Sequence, residues 1–133
     1  MPSAKIVDVG FAIQTNLESG LGGTVPKYIG WGTGTTPVAH TDTDLVTPAN
    51  EARVSGTVSR QTTNATNDTL RVTGTLVSLS AQTISELGIF DGAGSGTPPS
   101  GANMKARAQF TGYVLAIGDS IAVTANDVKT SGT

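Results

Sequence analysis

Apolar and polar residues alternate with a period of two in four separate stretches of this chain. From Ala52 to Ser59, the residues Ala52, Val54 and Val58 fall on one face, while Arg53, Ser55, Thr57 and Ser59 fall on the other. Met104, Ala106, Ala108 and Phe110 alternate with Lys105, Arg107 and Gln109 in the same way, and Ile121, Val123 and Ala125 form a third apolar face. Side chains flip direction at each step of a strand, so the pattern is that of sheets with one buried face. The expected fold is all-β: a single-domain antiparallel β-sandwich or jelly-roll-like module with an extended N-terminal arm. Residues 1–24 are assigned to the strand or arm and residues 25–133 to the sandwich core.

Composition narrows the function classes. At 133 residues the chain can bury a core without covalent staples. It holds no cysteine, which removes disulfides and thiolate metal sites. A net charge of -2 with 14% charged residues leaves no basic footprint, so no nucleic-acid partner is expected. No apolar run approaches the roughly 18 residues of a membrane span, and no signal-peptide start is seen, so no membrane partner is expected either. The 17 glycines, with aromatics at only 5%, favour short strands and many turns.

Along the chain, residues 5–13 read as a first strand or arm, and a Gly-rich stretch to Thr24 leaves Leu17 and Leu21 without an internal home. Lys27 to Gly32 forms a second run that holds the only tryptophan, Trp31. Residues 33–50 make a long loop punctuated by Pro37 and Pro48, with a short helical turn expected near Asp42–Leu45. Arg53-Val54-Ser55-Gly56-Thr57-Val58 is echoed 18 residues later by Arg71-Val72-Thr73-Gly74-Thr75-Leu76. The polar connector between them predicts a β-hairpin, in a register that sets Val58 against Leu70 and Gly56 against Val72. Gln82 to Asp91 carries bulk on both faces, Ile84 and Phe90 on one and Leu87 and Ile89 on the other, as a strand deep in the fold would. Residues 92–102 form a flexible glycine loop, and a polar tail ends at Thr130 to Thr133.

Few residues could carry chemistry. His40 is the only histidine, and the aspartates available to it for a triad, Asp42 and Asp44, are loop neighbours. Gly30-Trp31-Gly32-Thr33-Gly34-Thr35-Thr36 suggests a phosphate-cradling loop but lacks the Gly-Lys-Ser/Thr ending, so its glycines are read as permitting a tight bend around Trp31. Asp42, Asp44 and Asp91 do not follow calcium-loop spacing. Glu86 sits in the most apolar strand and must be paired or protonated, with Arg53, Arg71 or Arg107 as its partner. No catalytic residue, cofactor or metal is assigned.

Taken in order, Pro26 to Thr35, Thr41 to Leu45, Glu51 with Arg53, Thr66 to Leu70, Thr83 to Asp91 and Leu115 to Ile121 resemble a family of small structural proteins of tailed-bacteriophage virions. The resemblance spans residues 5–124 and departs from the family pattern at Thr97-Pro98-Pro99 and after Ala125. It implies a head decoration (cement) protein that binds across major capsid subunits on the virion surface, assembled in the host cytoplasm. The partners implied are the major capsid protein and further copies of the chain, with a homotrimer as the expected form. A tail fibre or baseplate module is the alternative. The candidate contact residues are Phe11, Ile13, Leu17, Leu21, Tyr28 and Trp31.

Overall fold

The computed structural model describes residues 3–130. Met1 and Pro2 of the expected arm, and Ser131, Gly132 and Thr133 of the expected tail, lie outside the described residues. The chain runs β1 (Ser3–Ile6), α1 (Asp8–Ser19), β2 (Tyr28–Gly32), β3 (Val54–Ser55), β4 (Thr57–Gln61), β5 (Thr69–Val77), β6 (Gln82–Phe90), β7 (Met104–Leu115) and β8 (Ser120–Val128). A five-stranded sheet has the order β1-β7-β6-β2-β3, and a three-stranded sheet has the order β4-β5-β8. Every strand pairing is antiparallel. The two sheets pack face to face around Ile29, Trp31, Val72, Leu76, Ile84, Phe110, Leu115 and Val123, so the expected β-sandwich is what the chain forms.

The extended arm is not formed over residues 8–19. Apolar residues at 7, 9, 11 and 13 alternate like a strand, yet the residues buried are Val7, Gly10 and Ile13, spaced by three as on a helix face. Asp8 suits the positive end of the helix dipole, and Gly20 ends the helix in the left-handed region at φ 72°. Gly10 allows close approach, because a Cβ there would run into the Lys105 carbonyl of β7. Tertiary fit overrides the strand pattern here.

The echoed repeat does form a hairpin, β4 with β5, but two residues out of the expected register: Val58 faces Val72 and Arg60 faces Leu70. The reason lies at Gly56, where the run from Val54 breaks and crosses from the large sheet to the small one. The Gly56 N–H donates to the Lys27 carbonyl at 2.7 Å. Gly56 then lies beside Gly74; the Ile29 side chain takes the space at Gly74 and the Val72 side chain that at Gly56. The strand β6 is central in its sheet, as its two apolar faces imply. A register shift between Ile84 and Glu86 turns Ile84 toward the inter-sheet core with Leu87 and Ile89, while Phe90 packs with Val7, Leu45 and Met104 on the other side. No helical turn forms at Asp42–Leu45.

Candidate interaction surface

The outer face of the large sheet is sealed by ionic contacts that fix the long loop. Glu86 on β6 is 0% exposed and accepts four hydrogen bonds: at Oε1 from the Val46 N–H and Arg107 Nε, at Oε2 from the Gly34 and Thr47 N–H groups, all at 2.8–2.9 Å. Of the three arginines offered by the sequence, Arg107 is the partner. Its other nitrogens donate to Asp42 at 3.1 Å and to the Thr36 carbonyl at 2.9 Å. The glycine stretch therefore does cradle an anion, but the anion is the chain's own. Gly30 and Gly32 lie within β2 rather than in a bend, and a Cβ at Gly32 or Gly34 would collide with the Glu86 carboxylate.

Arg53 pins the second loop. Its guanidinium lies 3.5 Å from the centre of the Phe90 ring and donates to the carbonyls of Gly92 and Gly101. Burial lowers its pKa against the opposing pull of Asp44 and Asp91. Glu51 holds the Trp31 indole, accepting from Nε1 at 3.2 Å, from the Leu79 N–H at 2.8 Å and from Gln82 at 2.7 Å. Burial pushes the Glu51 carboxyl up, but these hydrogen bonds outweigh it and keep it below its ordinary value. Asp127 on β8 joins the two sheets through Lys105 at 2.7 Å and receives Gln14 of the helix at 2.9 Å. Burial raises its pKa, and the hydrogen bonds and charges of Lys105 and Lys129 more than reverse the effect.

Other candidates disperse. His40 meets Asp8 at 3.2 Å on the surface rather than Asp42 or Asp44. Asp91 holds Asn103 through its N–H and side-chain amide, while Asp44 faces Arg53 and Asp42 pairs with Arg107. Among the described residues no group of three His, Cys, Asp or Glu side chains could hold a metal ion. No helix among them is long and apolar enough to cross a membrane.

Exposed large apolar side chains gather at two places on the surface. Of the six contact residues expected from sequence, Ile13 and Trp31 are buried inside the chain and Tyr28 is half-buried against the cluster around Phe90. Phe11, Leu17 and Leu21 stay exposed on and just beyond the helix, with Val25 following. A second set was missed. At one end of the sandwich the β5–β6 and β7–β8 turns bond to each other, Ser78 N–H to the Asp119 carbonyl and Gly118 N–H to the Ser78 carbonyl. That end exposes Val77, Tyr113, Leu79 at 69%, Ile117 at 74% and Val114 at 83%. Turn tips ordinarily carry polar residues, so Leu79 and Ile117 were the available signal. A scan of protein-family models found no match to the chain, and searches of curated proteins and of solved structures found none either.

Proposed function

We propose that this chain is a structural protein of a tailed-phage virion, a head decoration protein that covers and joins surfaces of the major capsid protein. The observation that carries this reading is the apolar end formed by Val77, Leu79, Tyr113, Val114 and Ile117, held rigid by the bonds between its two turns. Burying such side chains at a joint contributes about 25 cal/mol per Å² before association costs. The partner is the one that the resemblance of the sequence to small virion proteins implies. The exposed Phe11, Leu17 and Leu21 offer a second contact, suited to neighbouring copies in a homotrimer.

The test is decoration of purified empty heads by the isolated protein, followed by sedimentation. A Leu79→Glu/Ile117→Glu variant changes only exposed side chains, and it is expected to keep its fold and to stay in the supernatant. Full decoration by the variant, or no decoration by the parent chain, would reject the reading.

A further inference from the structure

The two sheets are unequal, five strands against three, and the shortfall lies on one side. On the other side the chain passes from β3 to β4 through Gly56 and closes the sandwich. On the open side β8 pairs with β5 and, among the described residues, with no other strand. Two clefts run along it. One, of 470 Å³, lies between β7 and β8 and is lined by Ala108, Phe110, Tyr113, Ile121 and Val123. The other, of 200 Å³, lies between β1, β7 and β8 and is lined by Ile6, Ile89, Ala106 and Ala125.

Sheet edges invite pairing, and proteins usually guard them with shortness, lysine or proline. Three of the four edges here are guarded in that way. β3 has two residues, β1 has four and carries Lys5, and β4 has five and carries Arg60. The fourth edge, β8, has nine residues and no lysine, arginine or proline; its one charged residue, Asp127, stands at the Val128 end and is engaged by Lys105 and Gln14, which leaves Ser120–Asn126 without a guarding charge.

We propose that the free edge of β8 receives one extended strand of a partner polypeptide, whose alternate apolar side chains fill the two clefts. Such a strand would extend the small sheet over β7 and β1, where the large sheet now lacks a covering layer. The occupant is a single strand and not the β8 of a second copy. Antiparallel β8–β8 pairing turns both large sheets to the same side, where the overhanging β7 and β1 of each copy would fill the same space. Charge sets the direction. Near Val128 stand four cations, Lys5, Arg71, Lys105 and Lys129, against three carboxylates, Asp127, Glu18 and Asp68, whereas the Ser120 end has Asp119 and no cation. An antiparallel partner therefore carries its acidic residues at its N-terminal end, beside Val128.

The experiment selects binders to the folded chain from a display library of short random peptides, then maps the bound peptide by amide hydrogen exchange. The expected binders alternate apolar residues behind an acidic N-terminal end, protect alternate amides of Ser120–Val128, and weaken with added salt. An Ala108→Leu variant fills the larger cleft and should lose affinity by at least about tenfold. A Thr124→Lys variant guards the edge from its exposed face and should also bind more weakly, with the free protein's β5–β8 protection unchanged. A library without binders, protection outside β8, or full affinity in both variants would overturn the proposal.

Discussion

Replacing Glu86 with glutamine tests whether the buried carboxylate organises the loop over residues 33–48. The change keeps shape and removes charge, yet it is not conservative here. All four groups around the carboxylate are donors, two at each oxygen. Glutamine offers one oxygen and one NH2, so two donors must face a donor. Hydrogen bonds to a charged group contribute about 1.5–3 kcal/mol each, and breaking a buried ion pair costs about 3–5 kcal/mol. Arg107 retains Asp42 and Thr36, which places the expected loss at about 3–5 kcal/mol. At roughly 4 °C per kcal/mol for a domain of this size, Tm falls by roughly 12–20 °C. Calorimetry measures it, and limited proteolysis should show new cleavage between Thr33 and Pro48. A Tm within about 3 °C of the parent, far below what one lost buried ion pair costs, would refute the reasoning.

Other expectations follow from the same contacts. Gly34→Ala should destabilise the fold nearly as much as loss of Glu86, because its Cβ meets both the carboxylate and Val46; an unchanged urea midpoint would contradict this. Arg53→Lys loses the two carbonyl contacts and the flat stacking on Phe90, so amide exchange should rise across residues 92–102 and not elsewhere. Asp68 takes N–H bonds from Thr63, Asn64 and Ala65, which hold its carboxyl below the ordinary range, as Glu51 and Asp127 are held below theirs. These groups bind protons more weakly folded than unfolded, so stability is full above their ordinary values of 4.5 and 3.8 and is lost as pH falls through and below them. Urea unfolding at descending pH checks the sign, and stability that rises on acidification would reverse it. Deleting residues 1–21 should destabilise the whole domain, since Val7 is fully buried against Phe90 and Met104; a truncated chain with the parent's Tm would show the helix to be dispensable.

Strands such as β7 and β8 were legible because an apolar face alternates with a polar one, and β6 because it is apolar on both faces. The same logic failed at residues 7–13, where two periodicities coexist and only the fit of Gly10 against Lys105 decides between them. The hairpin could be read from its repeat, but its register depended on Gly56 leaving one sheet for the other, a crossing that no local pattern announces. Glu86 was legible as a carboxylate in need of a partner. That its partners include three backbone N–H groups of the glycine-rich loop was not, because N–H groups leave no mark in a sequence. Ile13 was taken for a contact residue as part of an arm without an internal home, and Trp31 as one of the few aromatics available to a binding surface, yet the fold buries both. The exposed end was overlooked although Leu79 and Ile117 are apolar residues at turn tips; only the fold shows them uncovered together with Val114.

Quantitative mass spectrometry of purified virions is the most direct test of the proposed decoration role. A decoration protein is predicted to occur in a fixed, high ratio to the major capsid protein and to leave the particle when Leu79 and Ile117 are replaced by glutamate. Its absence from the particle, or a copy number set by the tail rather than the head, would contradict the account.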